Sequence, residues 1–142
     1  INKVLLINGH GGNRHALGVA VAKLKFELGV KAGWIGPDFA DDLLDNKNFS
    51  SIRGHACEAE VSVSIFLAPW LVKKKHLTKG KLNNTLYKKR CWWKQVPWSF
   101  KEITSNGVLG DATQSSYELG KEIFEYIIKK YEKFIKEYFL ND

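Results

Sequence analysis

The alternation of apolar and polar positions lays out most of this chain's elements. Residues 3–8, KVLLIN, form a short apolar run closed by the turn Asn8-Gly9-His10-Gly11-Gly12-Asn13, which predicts a strand. Over residues 14–28, Leu17, Val21, Leu24 and Leu28 recur on one helical face, with Asn13 as a candidate N-cap and Gly29 as the stop. Residues 30–35, VKAGWI, are a second strand candidate. Strand, helix and strand at this spacing predict a βαβ unit, and therefore a mainly parallel sheet.

The middle of the chain is less regular. Residues 36–53 are polar, with one helical turn expected around Asp41 to Leu44. A helix is expected from about Cys57 to Leu67, ending near Pro69. Residues 73–86 predict a flexible loop, residues 87–93 a strand, and residues 97–110 mostly loop. The last element has the clearest pattern. Leu119, Ile123, Ile127, Tyr131, Phe134 and Tyr138 keep helical spacing between lysines and glutamates, and Ser115 with Glu118 has the spacing of a capping box. The fold class expected is α/β, with a mainly parallel sheet flanked by helices. No repeat and no second domain are evident.

Composition narrows the class. The 142 residues are 44% hydrophobic and 26% charged, the balance of an ordinary folded domain with a core. The apolar runs fall well short of the roughly 20 residues of a membrane span. The formal net charge is +7. Much of it lies between Lys73 and Lys101 beside Trp92, Trp93 and Trp98, but lysine is abundant throughout. A solvated surface with buried tryptophans explains this better than nucleic-acid binding. The cysteines, Cys57 and Cys91, form no CxxC pair and suggest no disulfide framework, so a reducing cytoplasm is expected.

Three segments can carry chemistry. The turn around His10 follows a strand and precedes a helix, at the sheet edge where α/β proteins bind ligands. It lacks the spacing of a dinucleotide or P-loop motif, and His10 suits metal ligation better. His55-Ala56-Cys57-Glu58-Ala59-Glu60-Val61-Ser62 puts a histidine and two carboxylates at a helix start. Histidine can exchange a proton near neutral pH, and glutamate can ligate a metal or orient water. Acidic residues also favour the first turn of any helix, so the pattern has a plain structural reading too. In Gly107-Val108-Leu109-Gly110-Asp111-Ala112-Thr113, Asp111 reads first as a helix cap.

Taken in order, these segments resemble the creatininase (creatinine amidohydrolase) family over most of residues 3–125. The turn matches NGHGGN, HACEAEVS is similar to HAGExETS, and GVLGDATQSS is similar to GVxGDPxxAS. The resemblance implies a layered α/β domain hydrolysing a non-peptide C–N bond, in a cyclic amide or formamide of a small molecule. It implies His10 as a metal ligand, His55 as the catalytic acid/base, and Glu60 as a ligand or water-orienting carboxylate, with Glu58 a weaker candidate. It also implies divalent zinc, manganese or iron, two ions in the complete protein, and a homo-oligomer. His10, His55 and Glu60 are expected to converge on one cleft.

Departures from the family pattern bear on the site. Cys57 stands where the family has glycine, EVS replaces ETS, GDA replaces GDP, and Gly12 stands where some members have glutamate. The family's earlier Glu/His/Asp segment, of the form GxxExHGxHLP, has no counterpart in these residues. The chain is therefore expected to be the C-terminal portion of a single domain, lacking metal by itself. The rival reading is a non-catalytic binding or assembly subunit that keeps the fold with an incomplete metal site.

Overall fold

The computed structural model describes residues 1–36, 40–45, 54–83 and 99–141, apart from the side chain of Asp41. The expected strand at residues 87–93, and Cys91, Trp92, Trp93 and Trp98, lie outside the described residues. The chain forms two compact units, residues 1–38 with 127–142, and residues 39–126.

In the first unit, strand β1 (Lys3–Ile7) pairs in parallel with β2 (Lys31–Ile35), with Leu5 opposite Gly33. Helix α1 (Arg14–Phe26) makes the crossover and packs against β2. This is the βαβ unit the hydrophobic pattern predicts, and the fold is α/β. Leu17, Ala20, Val21 and Leu24 form the half-buried face of α1. Leu28, expected on that face, lies beyond the helix and is exposed. Gly29 adopts φ +65°, a left-handed value that costs glycine little, so the chain can turn there into β2.

The C-terminal end of the long helix covers β2. Helix α5 (Tyr117–Ile135) continues into a wider π-type turn, Lys136–Leu140. The wider turn sets the Phe139 ring edge-on to Phe134, and both reach over Gly33. A Cβ on Gly33 would meet both rings at 3.3 Å, so the missing side chain makes room for two aromatics. The hydroxyl of Tyr138 donates to the Ala32 carbonyl (3.2 Å), and that of Tyr131 to the Gly36 carbonyl. These bonds satisfy the polar ends of rings whose bodies are packed.

The second unit is built around α3 (Glu58–Leu67) and the first half of α5. It also holds the short helices α2 (Asp41–Leu44) and α4 (Phe100–Ile103). Its core includes Leu44, Ala59, Ile65, Ile103, Leu109, Leu119 and Ile123. Gly120 lets α5 approach α3 backbone to backbone, and a Cβ there would lie 1.9 Å from the Ser62 carbonyl oxygen. Phe66 packs edge-on against Tyr117 and tilted against Phe124, extending the seam. Residues 97–110 were expected to be mostly loop. Within them α4 forms, closed by a capping box between Ser99 and Glu102.

Two further expectations need correction. The loop expected at 73–86 carries backbone pairing in its described part, at residues 79–83. Lys79 bridges Asp111, Leu82 bridges Thr104, and the Asn106 side chain donates to the Lys79 carbonyl at 2.8 Å. Backbone pairing of this kind leaves no mark in a hydrophobic pattern. The cap of α5 is also one residue later than its spacing suggests. Ser116 accepts the Leu119 N–H (3.0 Å), while the Ser115 hydroxyl donates to the Glu58 carbonyl (3.3 Å).

Candidate active site

The His10 turn sits in the first unit, at the carboxyl end of β1, as expected. Asn8 is buried and organises it. Its side-chain oxygen accepts the His10 N–H (3.2 Å) and the Asn13 amide (3.1 Å), and its own amide donates to the His10 carbonyl (2.8 Å). Asn13, the expected N-cap, makes no side-chain cap bond to α1. His10 caps the short 3-10 turn Gly11–Asn13, accepting the Gly12 N–H on Nδ1 at 3.1 Å. That bond places the proton of a neutral ring on Nε2. Metal ligation through Nε2 requires the other tautomer, so a metal there has to displace the Gly12 bond.

The second unit holds the other candidates. His55 lies exposed just ahead of α3, and its backbone is fixed by an antiparallel bridge. The Leu109 N–H donates to the His55 carbonyl (2.8 Å), and the Gly54 N–H to the Leu109 carbonyl (3.0 Å). The imidazole meets the Phe100 ring edge-on at 4.7 Å between centroids. Ala56, the next residue, adopts φ +47°, a left-handed conformation that costs a non-glycine residue energy. Its N–H donates to Glu60 Oε2 at 2.6 Å. The Glu60 carboxylate thus holds the strained turn at Ala56, the residue next to His55. A charged acceptor makes it one of the stronger hydrogen bonds available.

Cys57 is the N-cap residue of α3 and is fully buried, without a side-chain cap bond. Burial pushes its thiol above the usual range. A protonated thiol is a poor nucleophile, which argues against a cysteine hydrolase.

Glu58 is more deeply placed than its sequence context suggests. It is fully buried, and its Oε2 accepts the Asp111 N–H at 2.7 Å. Its Oε1 has no hydrogen-bond partner among the described residues. Gly110 permits this approach. A Cβ there would lie 2.5 Å from Cys57 Cβ and 2.7 Å from Glu58 Oε2, and its φ of +140° is itself unfavourable to other residues. The two motifs HACEAEVS and GVLGDATQSS are therefore locked together through Glu58, Gly110 and the His55–Leu109 bridge.

Asp111 is the cap its position suggests. It is buried, and Oδ1 accepts from the Thr113 hydroxyl (2.5 Å) and N–H (3.2 Å), closing the 3-10 turn Ala112–Gln114. The Thr113 hydroxyl bond, with Gln114, the Thr113 N–H and Lys79 assisting, holds its carboxyl below the usual range. Lys79 Nζ stands 3.7 Å away. Phe100, which touches His55, and Asn106, whose side-chain amide donates to the Lys79 carbonyl, were not singled out in the sequence. Nothing in a lone aromatic or asparagine signals such a role.

Among the described residues no group of three histidine, cysteine or acidic side chains is close enough to hold a metal. His10 stands in one unit, and His55, Glu58 and Glu60 in the other. The residues described do not make up a metal site by themselves.

A family profile described as creatininase, creatinine amidohydrolase, matches residues 1–135. A mycofactocin precursor peptide peptidase from Mycolicibacterium smegmatis is 29% identical over 127 residues, 89% of this chain and 46% of its own length. A protein from Bacteroides fragilis NCTC 9343, assigned as a creatinine amidohydrolase, superposes with a TM-score of 0.75 at 23% identity, over 97% of this chain and 54% of its own. A type II creatininase with one tryptophan-to-phenylalanine substitution superposes at 0.62 and 19% identity, over 96% and 56%. The chain spans about half the length of each of these relatives.

Proposed function

Because this chain belongs to the creatininase family, we propose that the complete protein is a metal-dependent amidohydrolase cleaving an amide-type C–N bond. Residues 1–142 are then the C-terminal portion of a single creatininase-like domain. The observation that carries this reading is the pairing of the two family motifs around His55. An exposed imidazole is presented on a strained turn, held by Glu60 from one side and by Leu109 from the other. A fold that only needed a helix start there has no use for the strain.

In this reading His55 gives a proton to the leaving nitrogen. Glu60 holds the turn and orients the histidine. His10 is a metal ligand, reached by giving up its bond to Gly12. The remaining donors for zinc, manganese or iron come from outside these residues. The substrate is a small cyclic amide or formamide. A peptide bond is the second reading, favoured by the name of the Mycolicibacterium smegmatis relative. The complete protein works as a homo-oligomer without nucleic acid, in a reducing cytoplasm. No helix among the described residues is long and apolar enough to cross a membrane.

The test is metal content by mass spectrometry together with hydrolysis of cyclic amides, formamides and short peptides by the complete protein. Bound divalent metal with turnover on one of these classes supports the reading. A metal-free protein inert toward all three favours the alternative, a binding or assembly subunit.

A further inference from the structure

The backbone that carries His55 is held at three successive residues. The Gly54 N–H donates to the Leu109 carbonyl (3.0 Å), the His55 carbonyl accepts the Leu109 N–H (2.8 Å), and the Ala56 N–H donates to Glu60 Oε2 (2.6 Å). These bonds leave the torsions of the His55 side chain undetermined. His55 is exposed, and among the described residues no hydrogen bond or ion pair reaches its imidazole. An exposed ring without a partner moves among its rotamers on the picosecond-to-nanosecond scale. A general acid has to keep one of them, with its proton in reach of the leaving nitrogen.

The ring that meets the imidazole is Phe100, with centroids 4.7 Å apart and planes at 63°. That is the edge-to-face arrangement that aromatic quadrupoles favour. Phe100 stands on a fixed support. Ser99 and Glu102 close α4 with a capping box, and the Phe100 carbonyl accepts the Thr104 N–H (2.9 Å). Asn83 holds the same helix, its N–H donating to the Ile103 carbonyl (2.9 Å) and its side-chain amide to the Lys101 carbonyl (2.7 Å). One stretch of chain, residues 99–109, thus carries both the Phe100 ring and Leu109, the residue that pairs with His55. Core packing does not account for the ring. Ile103 takes the buried place on α4 at 5% exposure, while Phe100 is 47% exposed.

We infer that Phe100 is a positioning residue for His55. Its ring occupies one side of the imidazole and keeps it in a single rotamer, so that the proton is presented in one direction. The effect on turnover rests on the proton transfer proposed for His55, whereas the orientation of the imidazole does not.

The experiment joins nuclear magnetic resonance of the complete protein, with isotope-labelled histidine, to steady-state kinetics on whichever amide class it hydrolyses. His55→Ala assigns the His55 signal by its disappearance. Phe100→Leu keeps apolar bulk without an aromatic ring, and Phe100→Tyr keeps the ring. In Phe100→Leu the ring protons of His55 should lose the shift that a neighbouring aromatic induces. Its kcat should fall roughly 3–10-fold at unchanged KM, the range that one aromatic pair is worth. Phe100→Tyr should keep both the shift and the rate. An unmoved His55 signal in Phe100→Leu, or a Phe100→Tyr variant as slow as Phe100→Leu, would overturn the inference. A raised KM at unchanged kcat would overturn it as well, by marking Phe100 as a substrate contact. Turnover lost in His55→Ala but intact in Phe100→Leu would overturn it and leave the proposed reaction standing. Full turnover in His55→Ala would overturn the proposed reaction and the positioning role together.

Discussion

The carboxylate of Glu58 accepts the backbone N–H of Asp111 at 2.7 Å, in a site where Glu58 is fully buried. This single bond joins the start of α3 to the segment 107–111, which pairs with His55 through Leu109. It gives one oxygen of this acidic side chain a partner in its core position next to Cys57 and Ala59.

Glu58→Ala should therefore remove the acceptor of a buried N–H and leave a cavity, at a cost of about 2–4 kcal/mol. Glu58→Gln keeps an acceptor oxygen and the volume, and should cost less than about 1.5 kcal/mol. Urea denaturation of both variants of this chain checks the order. Equal losses would mean that the Asp111 bond does not distinguish them.

Gly120→Ala gives the opposite of a helix-propensity argument. Alanine is better than glycine in a helix interior by about 1 kcal/mol. Here the added Cβ falls 1.9 Å from the Ser62 carbonyl oxygen, so α3 and α5 must separate. A net loss of about 1–3 kcal/mol is expected. Thermal unfolding measures it, and a rise in melting temperature would contradict the packing described.

How much was legible in the sequence follows from the range of the interactions. The βαβ unit and α5 repeat apolar residues at a fixed local period, so their faces could be read from residues such as Leu17, Val21 and Ile123. The three chemical segments were legible through their motif likeness. The depth of Glu58 was not. Its partner lies 53 residues away, and an acidic residue in a first helical turn looks the same whether it faces water or a core. The tether through Asn106 and Lys79 was hidden for the same reason. Capping by His10 in place of Asn13 depends on a turn geometry that several residues of the motif permit equally.

Acid should loosen the turn capped by Asp111. Its folded-state carboxyl lies below the usual value, chiefly through the Thr113 hydroxyl. A depressed value means that the stabilisation is complete above the unfolded carboxylate value of about 4. It is lost as pH falls from there through the lower folded value. Asp111→Asn should flatten that part of the stability-versus-pH curve below about pH 4. Chemical denaturation at stepped pH measures the slope. An unchanged slope in the variant would mean that Asp111 does not carry this linkage.

In the proposed reaction His55 moves a proton while His10 serves the metal. The most direct measurement is paired metal content and turnover for His55→Ala and His10→Ala in the complete protein, on whichever amide class it hydrolyses. His55→Ala should keep its metal and lose turnover by about 10²–10⁴-fold, whereas His10→Ala should lose metal and activity together. A His55→Ala variant with full turnover, or a His10→Ala variant with its full complement of metal, would contradict it.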